Sequence, residues 1–574
     1  MLGAQALVEI LIQYDVKVIF GVPGDTNIAL YEALYDSGST IRHVMARDER
    51  SASFMADAYA RISHKPGICE CPSGAGPLYS IPGVAEANAS SIPLILLTSD
   101  IPLAGEGKKT ITELDCQKLF EPVTKWSSLL KDVERVPEII RRAFRIATTG
   151  RPGAVHLALP EEVLTGEYKG SRAEIYAEPE CRQYPAYRTR GSRKALETVV
   201  EYIRIARKPV VIAGGGAKHA QAGSAIVSLV ERISAPLVTT ISGQGIIPDE
   251  HPLALGVIGD NGFHPHAHKA LEEGDVLIYI GCKMGSVSTI KWTLPAHDPK
   301  RKIIQIDLDP ELLSNNLRNT HSIAGDARLV LEDLVTLLKM SDILRSPSPW
   351  VRELNRLRRK FWRDSEEVLA AETIPIKPQR VVAALNRRIE SPTIVIADAG
   401  TPTPYISRFL KLGSGSTFII PRAYGGLGYA IPAVVGAHFA NPKAHLIGLF
   451  GDGSLGMSAG DLETLARLNI PAVLILFNNA CFGWIKALQA LHSKEKFYSV
   501  DFLPGDPVMI ARGFGIEACS VKTPAELEGA LDRAFSKGGP VLVDVATESE
   551  VTELPPVYSW WEAARKNKMP PVHT

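Results

Sequence analysis

Residues 446–481 read LIGLFGDGSLGMSAGDLETLARLNIPAVLILFNNAC. The apolar run 446–450 ends in Gly451-Asp452-Gly453. A helical stretch with Leu462, Leu465, Ala466 and Leu468 on one face follows. A second apolar run, 472–477, ends in Asn478-Asn479. Two short apolar runs flanking an amphipathic helix predict a βαβ unit of a buried parallel sheet. Ligands of such sheets sit beyond the carboxyl ends of the strands, so Asp452 and Asn479 are expected to share one site. A carboxylate, an amide oxygen and a backbone carbonyl are hard ligands of the kind Mg²⁺ takes while sharing its octahedron with phosphate. The glycines let the backbone approach a phosphate, and the helix start adds positive potential. The bland reading is a strand-end turn followed by a chance Asn pair.

GDG, a spacer of residues 454–477 and then NN resembles the thiamine diphosphate (ThDP) motif of the acetolactate synthase-like enzymes. The resemblance implies Asp452, Asn479 and the carbonyl of Cys481 as Mg²⁺ ligands, with Gly451, Gly453 and Ser454 at the cofactor. Working outward, Asp398-Ala399-Gly400-Thr401-Pro402-Thr403 follows the apolar strand Thr393–Ala397. Backbone N–H groups and hydroxyls here, those of Gly400 and Thr401 first, suit a diphosphate. Gly425-Gly426-Leu427-Gly428 resembles the family's bend under the cofactor. That likeness implies Leu427 as the apolar wedge and the Gly425 carbonyl as acceptor for the 4′-amino group; by itself GGLG is a turn. Beyond the Asn pair, Ile485 stands where 2-oxo acid decarboxylases carry a glutamate. Trp484 and Lys486 either face the substrate or, for Trp484, join the core. His492 and Glu495 are candidates for proton transfer.

The first third of the chain alternates helix and strand, the rhythm of a doubly wound α/β domain. RDERSASFMADAYAR places Asp48 and Glu49 at a helix start, where acids also complement the macrodipole. The segment resembles the family's pyrimidine-binding helix, which implies Glu49 as the cofactor-activating acid/base at the pyrimidine N1′. GVPGDTNIALYEAL, with Gly24 and Asp25, resembles the corresponding loop of 2-oxo acid decarboxylases. Asp25 is either a second active-site acid or a helix cap. Ser73-Gly74-Ala75-Gly76 resembles the turn beside the cofactor. Thr112 replaces a glutamine usual in acetolactate synthases, and the paired histidines of pyruvate decarboxylase are missing.

Residues 191–340 form a second α/β pattern, with Gly214-Gly215-Gly216 after the strand Pro209–Ala213. In the family this domain binds FAD, ADP or CoA, or nothing. IIQIDLDPELLSNN resembles the family's adenosine-side strand, which implies Asp307 or Asp309 at a ribose; the bland reading is a strand-end turn with polar caps. GCKMGSVSTIKW and Ile258-Gly259-Asp260 replace FAD-linked segments and count against tight FAD binding. His264-Pro265-His266-Ala267-His268 offers imidazoles but no carboxylate or thiol partner for a metal.

Lys+Arg and Asp+Glu balance at 63 each, so no global field selects nucleic acid or membrane. No apolar run reaches the roughly 20 residues of a membrane span. The N-terminus lacks a basic leader region and does not read as a signal peptide. Seven scattered cysteines fit a reducing cytoplasm. The expectation is therefore three doubly wound parallel-sheet α/β domains of the ThDP-enzyme type: pyrimidine-binding at 1–170, central at 190–340, and diphosphate-binding with a tail at 350–574. The resemblance implies a homodimer or homotetramer, with the cofactor between the first domain of one subunit and the third of another. The leading activity is a ThDP- and Mg²⁺-dependent, acetolactate synthase-like carboligase/lyase of 2-oxo acids. The alternative is a 2-hydroxyacyl-CoA lyase or oxalyl-CoA decarboxylase-like enzyme, with Arg565, Lys566 and Lys568 of the tail on CoA phosphates. A 2-oxo acid decarboxylase is the third.

Overall fold

The computed structural model describes residues 1–503 and 505–566. The apolar runs form three six-stranded sheets, and all neighbouring strands are parallel. The first comprises β1 (Val18–Gly21), β2 (Arg42–Met45), β3 (Gly67–Cys71), β4 (Leu94–Asp100), β5 (Trp126–Leu129) and β6 (Ala154–Pro160). Its order is β2-β1-β3-β4-β6-β5. The second comprises β7 (Pro209–Ala213), β8 (Leu237–Thr239), β9 (Ala254–Val257), β10 (Val276–Ile280), β11 (Lys302–Asp307) and β12 (His321–Ala324). Its order, β12-β11-β10-β7-β8-β9, is that of dinucleotide-binding sheets. The third comprises β13 (Thr393–Ala397), β14 (Thr417–Ile419), β15 (His445–Gly451), β16 (Val473–Asn478), β17 (Glu517–Val521) and β18 (Val541–Ala546). Its order, β14-β13-β15-β16-β18-β17, repeats that of the first.

Burial explains the runs. Every residue of β3, β4, β6, β7, β10 and β13 is buried, because helices cover both faces of a doubly wound sheet. Strands at the sheet edges, such as β2 and β17, show mixed exposure instead. Register then sets the site. Gly451 of β15 pairs with Phe477 of β16, so the residues following both strands emerge side by side.

The first and third domains of this one chain meet through two helices, Glu49–Ser63 and Ala430–Ala440. Each occupies the equivalent place, following the edge strand β2 or β14. Small residues let them approach closely; a Cβ at Gly436 would overlap the backbone of Met55. The same apolar cluster runs through both domains.

The C-terminal helix Tyr558–Lys566 docks rather than fraying. Trp560 and Trp561 are buried, and Trp560 packs on Trp484 with ring centroids 4.4 Å apart. Trp484 thus joins an apolar cluster with the tail. Asp260 receives the Ser559 amide at 2.7 Å and its hydroxyl at 2.9 Å, tying the tail to the central domain. Arg408, buried among Phe263, Phe361 and Trp561, adds a cation–π tie between the same segments. Lys568 lies outside the described residues. No described helix is long and apolar enough to cross a membrane.

Candidate active site

Asp452 follows β15 and starts the helix Asp452–Ser458; Asn479 follows β16. Asp452 Oδ1 accepts the Gly453 N–H at 2.8 Å, and Oδ2 accepts the Asn479 N–H at 3.2 Å. Burial raises the proton affinity of this carboxyl. Cys481 is buried, with its thiol 3.2 Å from Asn479 Oδ1 and pushed up to about 12 by burial. A thiol so held is neutral and leaves the backbone carbonyl as the hard donor at this position. That carbonyl accepts the Gly483 N–H at 2.9 Å and keeps a second lone pair.

Sequence reasoning missed Glu550, which completes this cluster. It is 1% exposed. Its Oε2 accepts from Asn479 Nδ2 at 2.7 Å, and its Oε1 accepts from the Thr401 hydroxyl. An amide whose N–H₂ faces a carboxylate must turn its oxygen the other way, so Glu550 fixes the orientation of Asn479. A Cβ at Gly483 would overlap the Glu550 carboxylate, which explains the glycine. The residue sits in the irregular stretch after β18, where neither periodicity nor a motif marks it.

The diphosphate-side residues line the same strand ends. Gly400 has φ +105, and a Cβ there would meet only open space. Ser454 is buried, and Gly453 lies against the Phe482 ring, 2.6 Å from where a Cβ would stand. Asp398 is fully buried, and one of its oxygens accepts the Tyr429 N–H at 2.7 Å. Its carboxyl is pushed up to about 7 by burial. Gly425 and Gly428 have φ +69 and +79, which accounts for glycine at both ends of the bend that presents the half-buried Leu427.

Glu49 opens its helix behind the N-cap Asp48, whose side chain accepts the Ser51 N–H at 2.9 Å. Glu49 is 8% exposed, and its proton affinity is raised by burial first, with Asp48 and Glu70 adding to it. Neighbours of Glu49 reach the third domain. Arg47 N–H donates to Asp461 at 3.1 Å, Arg50 donates to the Met457 carbonyl, and the Phe54 ring faces Gly426. The helix that carries Glu49 and the segment after GDG are therefore adjacent within one chain.

Gly24, Asp25 and Ser73 gather at the ends of β1 and β3. Ser73 N–H donates to Thr26 at 3.0 Å, and its hydroxyl pairs with Thr112 at 2.8 Å. Gly24 N–H donates to Asn27, which donates to the buried Glu70 at 2.7 Å. Tyr31 and His43 also meet Glu70, at 2.6 and 3.1 Å. Asp25 itself is exposed in a single 3₁₀ turn. His492 and Glu495 are exposed, and Lys486 is paired with Asp501 at 2.6 Å.

The central sheet has its own opening, a cavity of about 780 Å³ bordered by all three domains. Gly214–Gly216 line it, with Arg61, Lys218, Lys283, Arg422 and Asp307. Desolvation lowers both lysines to about 8 and raises Asp307 to about 6. Asp309 is instead held by Arg151 at 3.2 Å. His264 Nδ1 accepts the Val257 N–H at 3.0 Å, and His268 bonds the Gly259 backbone; the imidazoles serve the core.

The donors present fit a Mg²⁺-diphosphate group. Among the described residues no three His, Cys, Asp or Glu side chains form a cage. One carboxylate, one oriented amide oxygen and one carbonyl leave the remaining positions of an octahedron for phosphate and water.

Three family models match the chain: thiamine pyrophosphate enzyme N-terminal TPP binding domain at residues 1–119, central domain at 196–334, and C-terminal TPP binding domain at 398–545. A probable acetolactate synthase large subunit of Methanocaldococcus jannaschii is 34% identical over 96% of this chain and 92% of its own. One from Methanococcus aeolicus is 33% identical over 97% and 94%. The acetolactate synthase isozyme 1 large subunit of Escherichia coli is 28% identical over 97% and 95%.

Proposed function

The chain belongs to the thiamine pyrophosphate enzymes of acetolactate synthase-like type, and on that premise we propose that it joins 2-oxo acids, pyruvate first, in a Mg²⁺-dependent carboligation. The observation that supports the reading is the cluster at the ends of β15 and β16, where Asp452 accepts the Asn479 N–H, the Cys481 thiol meets Asn479 Oδ1 and Glu550 holds Asn479 Nδ2. When bound, ThDP supplies the electron sink for breaking and forming a C–C bond at the substrate carbonyl.

The chain's residues do the rest. Asp452, Asn479 and the Cys481 carbonyl hold the metal. Gly400, Thr401, Gly451, Gly453 and Ser454 would border the diphosphate, their open glycine backbone letting it approach, while the Thr401 hydroxyl and the Gly453 N–H are already held by Glu550 and Asp452. Gly425 and Leu427 shape the bend that receives the ring system, with Gly24 and Ser73 on the opposite, first-domain side. Glu49 holds a proton at its carboxyl and shares it with the pyrimidine N1′; burial keeps that proton available nearer neutral pH than on an exposed glutamate. Asp25 is the second acid of the first-domain side.

The cation-lined central cavity supports a nucleotide ligand carrying phosphates, ADP or the ADP part of CoA before FAD. The docked tail speaks against a CoA-ester substrate: Arg565 pairs with Glu562 of its own helix and both tryptophans are buried. Seven free thiols, six of them buried, support a reducing cytoplasm. Assembly as a homodimer or homotetramer rests on the family resemblance alone; the Glu49 helix and the segment after GDG already meet within one chain.

The test supplies enzyme with ThDP and Mg²⁺ and offers pyruvate, a 2-hydroxyacyl-CoA and oxalyl-CoA in parallel. Acetolactate from pyruvate is the expected product. Thioester cleavage with pyruvate inert would overturn the reading.

A further inference from the structure

We propose that Glu86 is a positioning residue that sets the bend carrying Leu427. Glu86 lies on the first-domain helix Ala75–Ser90 and is 1% exposed. Its Oε1 accepts the N–H groups of Arg422 and Ala423 at 3.0 and 3.1 Å, and its Oε2 accepts that of Tyr424 at 2.9 Å. Three successive main-chain amides converging on one carboxylate make the concave nest that elsewhere holds a bound anion. Here the anion is a side chain of another domain. Ser90 donates to the same carboxylate at 2.8 Å, and Arg61 stands 3.6 Å away as its nearest cation.

The nest ends where the bend begins. At the bend's far end Tyr429 is pinned too, its N–H on Asp398 and its hydroxyl on Asp57 of the first domain at 2.6 Å. Asp57 is itself paired with Arg61 at 2.8 Å. Between the two pins lie Gly425, Gly426, Leu427 and Gly428, three of them glycines with little conformational preference of their own. The place of Leu427 is therefore set by its anchors rather than by its local backbone. Glu86 anchors the entry, and helix Glu49–Ser63 anchors the exit. One domain so fixes both its own acid, Glu49, and the bend opposite it. A neutral side chain at 86 would leave up to three part-buried donors short of a charged acceptor.

This inference rests on the cofactor role given above to Leu427, and the experiment separates the two. ThDP and, as a second probe, inorganic pyrophosphate are titrated with Mg²⁺ into the wild-type chain, Glu86→Gln, Leu427→Ala and the double variant, by calorimetry. Pyrophosphate meets the metal and diphosphate residues but not the bend. Glu86→Gln should weaken ThDP by about tenfold, the scale of a hydrogen bond to a charged group. It should leave pyrophosphate within about twofold, and the double variant should bind ThDP as Leu427→Ala does, because both changes act on one element. Equal weakening of both probes, or additive losses, would overturn the role. A wild-type chain that takes pyrophosphate but no ThDP would sink the cofactor reading itself, and this role with it. Should Glu86→Gln not fold, amide exchange of the wild-type chain decides. The amides of Arg422, Ala423 and Tyr424 should exchange slowly although the Tyr424 residue is 68% exposed; exchange at loop rates would overturn the clamp.

Discussion

The first and third sheets share one strand order, and their equivalent helices, Glu49–Ser63 and Ala430–Ala440, pack on each other. Yet the ends of corresponding strands carry opposite chemistry. After β15 comes Asp452, and after β16 Asn479, a set of hard oxygen donors. After β3 comes Ser73, whose hydroxyl is taken by Thr112. After β2 the chain turns into a helix headed by Glu49, whereas after β14 it makes the glycine bend. A common topology thus brings two sets of strand ends together, and on the function proposed above their side chains divide the work: anion and metal on one, proton on the other. The central sheet, wound in the dinucleotide order, opens on a separate cavity.

The division can be broken from either side. Asp452→Ala should lose all retained ThDP on desalting, while Ser73→Ala, at the corresponding strand end, should weaken ThDP by no more than about tenfold, the worth of one neutral hydrogen bond; calorimetry that finds the two alike would erase the contrast. Glu49→Gln should bind ThDP but lose activity by roughly 10²–10⁴, the worth of a positioned acid/base. Stopped-flow turnover with saturated cofactor measures this, and near-wild-type turnover would take the proton role from the first domain. Glu550→Ala should weaken Mg²⁺ by about 10–100-fold, as loss of a group orienting a metal ligand does. The titration is run in the presence of pyrophosphate; unchanged affinity would mean Asn479 needs no orienting.

The smallest effect sharpens the contrast with the central sheet. Lys218 and Lys283 sit near 8 because burial disfavours their charged forms. Below that pH both are ammonium groups and attract phosphate; above it they lose charge. ADP affinity should therefore fall as pH rises through about 8, and ThDP affinity should not follow it. Parallel titrations from pH 7 to 9 check this, and a flat ADP profile would remove the lysines from that site.

Sheet class, the order of elements and the third-sheet cluster were legible in the sequence because each is a local signal. Apolar runs such as 446–450 and 472–477 report burial on both faces. Gly451-Asp452-Gly453 and Asn478-Asn479 stand at the ends of adjacent runs, so the βαβ rule alone brings them together. Glu49 was legible as the head of a helix. Glu550, Glu86 and Glu70 were not. Each is a single acid without periodicity, and an isolated glutamate in sequence reads as solvated surface. Their partners lie far along the chain: Asn479 for Glu550, the 422–424 amides for Glu86, and Asn27 and Tyr31 for Glu70. The tail stayed open in the sequence, because its aromatic-then-basic composition does not tell a docked helix from a loose end. The sequence by itself thus determined which backbone ends meet and which donors they offer. Only the tertiary structure decided which buried acids orient those donors, since a carboxylate is kept inside by partners that sequence distance conceals.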